Sequence, residues 1–469
     1  MTLRFLLLAS LTAATLFAQT YDLLIQGGHV IDPANNIDAV RDVAVRGGVI
    51  ARVTASIPAS EAKKVLSASG LYVTPGLIDL HFHSFGYSGS IDPDDTALVT
   101  GTTTVVDAGG PGYRTFDRFR KSVVEKSKTR VLALINIAGN GMTGSASEDN
   151  VADMLPQKTA DTIKQNRDVL VGIKVAHFAK PGWDALKRGV EAGNLADVPL
   201  LVDDKIFTNA GRTSREKLLD VMRPGDMHTH MYNDRQVEIV SRFDGKVQPY
   251  AVEARRRGVL FDMGHGGGSF LWTVAVPATR QGFYPDTIST DLHSGSIMIQ
   301  QSDMPNCMSK MMLLGMSLPE AVRRSTMNPA KAIRRLPELG TLGEGKTADI
   351  ALLAVRDGVF AFKDAWGAKM MGTRKVEAMT TIRNGLVAFD GGRPAVSAKG
   401  EIYDLLIRNG MVSAGTRVDI GVAGGKIVKM AAGLPASHAR RVIDAGEYSV
   451  KAGLTGPLGL KPGPYSNFK

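Results

Sequence analysis

Two histidines stand one residue apart in Leu80-His81-Phe82-His83, directly behind Pro75-Gly76-Leu77-Ile78-Asp79. Residues i and i+2 of a strand point to the same side, so a strand here presents both imidazoles together. Such a pair can grip one metal ion; taken alone, two surface histidines are the plainer reading. Hydrolysing an amide or ester at neutral pH needs a hydroxide and a polarised carbonyl, and two metals supply both. Their ligands must be imidazole, carboxylate or thiolate. Cys307, the one cysteine of the chain, reads as a packing residue and leaves no intrachain disulfide.

Further groups of the right type fall inside or at the ends of apolar runs. Lys174 lies within Val171-Gly172-Ile173-Lys174-Val175, where an amine is costly unless paired or modified. Carbamylation by CO2 is one answer, because it turns the amine into a carboxylate able to bridge two cations; a salt bridge is the other. His230 closes Met227-His228-Thr229-His230 and shares a face with His228. Asp291, in Ser289-Thr290-Asp291-Leu292-His293, is set to hold a metal and to take a proton from bound water. His265, in Asp262-Met263-Gly264-His265-Gly266, and His293 are the candidate substrate-binding residues; a loop histidine without a role is the alternative for His265.

The elements that must position these residues follow from the patterning. After Pro75, short apolar or β-branched runs alternate with amphipathic stretches. They predict strands at Leu77–His83, Thr102–Ala108, Val131–Ala138, Leu170–Ala176, Pro199–Asp203, Met227–Tyr232, Leu260–Gly264 and Thr287–Asp291. Helices are predicted between them at Thr115–Lys126, Trp183–Ala192, Ser214–Met222 and Val247–Arg257, and after them from Leu318 to about Arg335. Strict alternation of this kind predicts a parallel sheet, and eight units predict an α/β fold of the (β/α)8 TIM-barrel type, whose chemistry gathers at the strand C-termini. The catalytic barrel is expected over residues 75–335.

The flanks, residues 19–74 and 336–395, are β-patterned, with strands expected at Ala348–Ala354, Val359–Phe362 and Thr380–Phe389; they are expected to pair as a small β-sandwich into which the barrel is inserted. Residues 396–469 repeat the first β unit: Tyr403-Asp404-Leu405-Leu406-Ile407 copies Tyr21-Asp22-Leu23-Leu24-Ile25, and Val450-Lys451-Ala452-Gly453-Leu454 mirrors Val73-Thr74-Pro75-Gly76-Leu77. The histidines are missing from its continuation, so this degenerate repeat is expected to carry no chemistry.

Residues 1–18 combine Arg4, an apolar run from Phe5 to Phe17 and Ala18, the pattern of a secretory signal peptide. Export to the periplasm or the extracellular space is the expectation, with no stable membrane span after cleavage. The formal net charge of +10 reads first as a solvated basic surface. No alternation of aromatic and basic residues suggests a nucleic-acid module. A small-molecule substrate is expected as the partner, and a homo-oligomer is compatible.

As an ordered set, Val73 through His83, Gly172-Ile173-Lys174, Thr229-His230, Ser289 through His293 and Gly340 through Ile350 resemble the amidohydrolase superfamily over roughly residues 21–392. The run Asp286–His293 and Asp262 through Gly266 resemble its amidohydrolase/deacetylase branch, related to dihydroorotases. The resemblance implies two divalent ions, usually Zn2+. It assigns His81, His83 and Asp291 to the buried ion, a carbamylated Lys174 as the bridge, and His230 to the second ion. Asp291 would be general base, then acid for the leaving group, in hydrolysis by metal-bound hydroxide. One position departs: where the family ends its fifth strand with a histidine, this chain has Asp203, in Pro199-Leu200-Leu201-Val202-Asp203. A carboxylate there alters the charge of the second site and opens it to Mn2+. The activity implied is removal of an acyl group from a small molecule at an amide or ester bond. The alternatives are a dihydroorotase-like or hydantoinase-like cyclic-amide hydrolase and, from another class, a non-catalytic exported binding protein.

Overall fold

The computed structural model describes residues 20–203, 215–234, 239–391 and 403–451, with short gaps at 414, 424–425, 437–438, 440 and 447. The leader expected over residues 1–18 and the lost histidine segment of the repeat lie outside them. Among the described residues no helix is long and apolar enough to cross a membrane. The chain divides into two compact units, Met1–Gly391 and Gly392–Lys469.

The first unit opens with β1 (Leu23–Asp32), β2 (Ile37–Arg46), β3 (Val49–Thr54), β4 (Val65–Ser67) and β5 (Tyr72–Pro75). Seven parallel strands follow in chain order: β6 (Leu77–Phe82), β7 (Thr102–Gly112), β8 (Arg130–Asn136), β9 (Leu170–Ala176), β10 (Leu200–Asp203), β11 (Met227–His228) and β12 (Leu260–Phe261). They form one curled sheet. Consecutive residues of β7, β8 and β10 enter different apolar clusters, Val105, Ile135 and Val202 in one, Val106, Leu134 and Leu201 in the other. That is the signature of a parallel sheet covered on both faces. Helices such as Pro156–Gln165, Asp184–Ala196 and Pro249–Arg256 connect the strands.

The expected eighth strand, Thr287–Asp291, is not a ladder strand. Its segment instead makes two isolated parallel bridges, Asp262 to Thr287 and Phe82 to Leu292, and so reaches both edges of the sheet. β11 and β12 are also shorter than the sequence suggests. The reason is shared: His230, Gly264 and Asp291 adopt left-handed φ values of 58°, 46° and 47°, which end extended backbone. The helix expected from Leu318 to about Arg335 is two, Leu318–Ser325 and Met327–Ala332. Pro329 lacks the N–H that the carbonyl of Ser325 would need for one helix to continue.

After the parallel sheet come β13 (Ile350–Lys363), β14 (Lys369–Arg383) and β15 (Leu386–Asp390). β14 begins well before the expected Thr380, because its first half is exposed and charged (Lys369, Arg374, Lys375) and carries no apolar alternation. The two flanks meet where β5 pairs antiparallel with β13, Val73 opposite Leu352 and Pro75 opposite Ile350. Together they make one eight-stranded sheet, in the order β15-β14-β13-β5-β1-β2-β3 with β4 beside β1. The flanks thus share a single continuous sheet, with a core of Leu23, Val43, Val73, Ile350 and Ile382.

The second unit has β16 (Leu405–Ser413), β17 (Thr416–Ala423), β18 (Lys426–Ala431) and β19 (Val442–Asp444), ordered β18-β17-β16-β19. This is the order of β3-β2-β1-β4, and the registers match: Leu23 faces Val45 as Leu405 faces Val422. Even the buried acid is repeated. Asp42 accepts from the backbone N–H of Gly27 and Ile57, and Asp419 accepts from those of Asn409 and Leu434. The repeat is therefore one of fold as well as of sequence.

Candidate metal centre

Ile173 and Val175 of β9 pack into one apolar cluster, so the alternation of the strand turns Lys174 the other way. There it meets the ends of the neighbouring strands. His81 and His83 lie at the end of β6, Asp203 ends β10, His230 follows β11, and Asp291 sits in the bridging segment; all are buried except Asp291, whose side chain is partly exposed. The structure thus brings together all six of the expected ligands.

The tightest group is His81, His83 and Asp291, whose ligand atoms lie within 4.8 Å of one another. Asp291 Oδ1 is 2.8 Å from His83 Nε2 and 3.4 Å from His81 Nε2, and Asp291 Oδ2 is 4.0 Å from His230 Nε2. On the other side, Asp203 Oδ2 is 3.2 Å from His230 Nε2. Lys174 Nζ is 3.1 Å from His81 Nε2.

Hydrogen bonding fixes which ring nitrogens carry protons. His230 Nδ1 lies 2.6 Å from the carbonyl of Gly264, which can only accept, so His230 donates there. Thr229 Oγ1 donates to the carboxylate of Asp262 at 2.7 Å and therefore accepts from His81 Nδ1 at 3.0 Å. Both rings, when neutral, turn a bare Nε2 lone pair toward the carboxylate oxygens of Asp291 and Asp203. Lys174 Nζ can donate to one of these acceptors, His81 Nε2; the remaining acceptors converging in the pocket call for a further cation between them. This donor set fits divalent ions, with outer partners of the kind that hold metal-ligating histidines in orientation.

Burial alone would raise the carboxyls of Asp291 and Asp203. The histidines around them outweigh it, His81, His83 and His230 for Asp291, His230 and His177 for Asp203, and hold both below the usual carboxylate range. Burial lowers Lys174, partly offset by Asp203 and Asp291. Burial, then Lys174, holds His81 well below the ordinary imidazole value.

Two acids behind the ligands were not singled out from the sequence. Asp262 accepts from Thr229, Thr287 and Ser289 at 2.7, 2.6 and 2.7 Å. Asp79 accepts from the backbone of His81 and Thr290 and from the Thr290 hydroxyl, and burial pushes it up to about 7. A carboxylate inside an apolar strand was the signal for both. His177, just past β9, was also missed: its Nε2 is 3.3 Å from Asp203 Oδ2 and its Nδ1 3.0 Å from Glu148 Oε1. The proposed substrate residues differ from each other. His265 is fully buried, stacked on Phe270, with Nδ1 on the Gly266 carbonyl at 2.9 Å and Nε2 at 2.5 Å from Lys310 Nζ. His293 caps the helix Ser294–Gln300 by accepting from the Gly295 N–H, its ring 5.5 Å from that of Tyr87. Cys307 is buried, as expected.

Residues 274–387 match the model of the amidohydrolase family. A deacetylase of Agrobacterium fabrum is 29% identical over 336 residues, 70% of this chain and 81% of its own length. Among solved structures, an adenine deaminase superposes with a TM-score of 0.73 at 28% identity, over 79% of this chain and 100% of the other. A dihydroorotase gives a TM-score of 0.69 at 26% identity, over 78% and 98%.

Proposed function

The chain belongs to the amidohydrolase superfamily, and from that premise we propose that it is a metal-dependent hydrolase that removes an acyl group from a small N-acyl or O-acyl substrate. The observation that carries this reading is the convergence of the His81 and His230 Nε2 lone pairs on the carboxylates of Asp291 and Asp203. His81, His83 and Asp291 would hold one divalent ion, His230 and Asp203 a second, with Lys174 carbamylated between them; zinc suits the imidazoles and manganese the added carboxylate. When bound, such ions polarise the scissile carbonyl and lower the pKa of water.

The protein's own groups would do the rest. Asp291, kept ionised by its neighbours, takes a proton from the attacking water and passes it to the departing nitrogen or oxygen as the C–N or C–O bond breaks. Thr229 and the Gly264 carbonyl keep the imidazoles in one tautomer. Lys174, its charge disfavoured by burial, offers the neutral amine that reacts with CO2. Likeness to a dihydroorotase structure supports a second reading, hydrolysis of a cyclic amide. We read the curled sheet as a (β/α)8 barrel closed by residues 287–292 and inserted between the flanking β segments, in an exported enzyme.

Metal analysis combined with Asp291→Asn tests the assignment, using a panel of acyl-amino acids, acyl esters and cyclic ureides. The expected result is two ions per chain and turnover of an acyl substrate that Asp291→Asn abolishes. Undiminished hydrolysis by a metal-loaded Asp291→Asn protein would remove Asp291 from its role. Preference for the ureides would favour the cyclic-amide reading.

A further inference from the structure

The fifth-strand position departs from the family pattern, yet Asp203 is not left to itself. It ends β10 beside β9, and the backbone N–H of His177 donates to its carbonyl at 3.1 Å. The His177 side chain then folds back over the same residue, with Nε2 3.3 Å from Asp203 Oδ2 and Nδ1 3.0 Å from Glu148 Oε1. Glu148 ends the short helix Ser145–Glu148 and is itself buried. The following loop is tied to the same place, since the Ala179 N–H donates to Asp149 Oδ1 at 2.6 Å. The buried carboxylate of Glu148 and the imidazole of His177 therefore stand in contact behind Asp203.

The backbone supplies an independent observation. Only nine non-glycine residues among those described have positive φ. Three of them are His230 (φ 58°), Asp291 (φ 47°) and His177 (φ 55°). Non-glycine residues enter this region at an energetic cost and are held there where surrounding structure demands it, often at functional sites. His177 shares with two expected ligands a left-handed backbone where extended chain ends.

An aspartate lacks the rigid ring of the histidine it replaces, so its carboxylate needs an outside partner to fix its plane. Partners of this kind behind a ligand are worth roughly 10–100-fold in metal affinity. We propose that His177, oriented by Glu148, is the positioning residue that holds Asp203 as a ligand of the second ion. This rests on the two-ion reading given above.

The test is a titration of the metal-free full chain with Zn2+, and separately Mn2+, in bicarbonate against a chromophoric chelator, which reads each affinity without reference to turnover. Wild type should show two affinities. His177→Gln and Glu148→Gln should weaken one by about 10–100-fold and leave the other, which doubles as the check on folding. In an Asp203→His background, His177→Gln should change neither affinity by more than about twofold. Wild-type affinities in both single variants would overturn the proposal while leaving the two-ion reading standing, as would an undiminished loss in the Asp203→His background. A wild type that takes up only one ion would overturn the two-ion reading, and the proposal with it. Should His177→Gln bind no ion at all, Glu148→Gln, which keeps the ring and the side-chain volume, decides.

Discussion

Replacing Thr229 by valine removes one hydroxyl and almost no volume. In the structure that hydroxyl accepts from His81 Nδ1 at 3.0 Å and donates to Asp262 at 2.7 Å. Both partners are fully buried, so neither finds water in its place. Leaving a buried polar group unpaired costs about 1–3 kcal/mol, which should appear as lost stability of the metal-free protein. A second effect is separate. Without its acceptor, His81 is no longer held with Nε2 bare, and the first ion should bind about 10–100-fold more weakly, or about 1.4–2.7 kcal/mol. Thr287→Val is the control: Thr287 also donates to Asp262, at 2.6 Å, but no histidine bond to its hydroxyl is observed. It should lose comparable stability and keep its metal affinity. Denaturant unfolding of both metal-free variants, with competitive zinc titration, measures the two quantities. If Thr229→Val loses stability but binds zinc as wild type does, the hydroxyl does not set the His81 tautomer, and the argument for a bare Nε2 facing Asp291 fails.

Other outcomes follow from the same geometry. A Cβ at Gly266 would lie 2.2 Å from Asp291 Oδ2, at φ +53°, whereas one at Gly282 meets nothing within 4 Å, at φ +75°; Gly266→Ala should lower turnover at least about tenfold, and Gly282→Ala should cost only the backbone strain of about 1 kcal/mol. Lys174→Ala should lose activity and regain part of it with short carboxylic acids, read as turnover with added acetate or propionate; no recovery at any concentration counts against the carbamate. Lys310 is held at about 8 by burial against an ordinary 10.5, so between those values the unfolded chain binds the extra proton and stability rises with pH. That slope, worth up to about 3 kcal/mol across the window, should vanish in Lys310→Met when both proteins are unfolded in denaturant from pH 7.5 to 10.5.

The site was legible where chemistry and strand position coincide. His81 and His83 at i and i+2, and Lys174 between two outward apolar neighbours, show themselves in any reading that assumes a parallel sheet. Asp203 was legible as a departure but not as part of a chain, because His177 and Glu148 reach it from turns whose geometry no periodicity encodes. The eighth strand was over-read for a related reason: Thr287–Asp291 has the composition of a strand, while the left-handed backbone of Asp291 confines it to two bridges. The flanking sheet was legible in its pairing, β5 with β13. The tail was legible in its repeated segment, Tyr403-Asp404-Leu405-Leu406-Ile407 copying Tyr21-Asp22-Leu23-Leu24-Ile25.

The left-handed backbone at His177, His230 and Asp291 also bears on how this protein can change. Each such residue costs on the order of 1 kcal/mol relative to glycine at the same place. A campaign that selects only for heat resistance should therefore favour glycine at these positions, and variants enriched that way would outlast the parent while losing its chemistry. On the roles proposed for them, these three positions are where durability and catalysis would compete, and a library meant to improve both should leave them fixed.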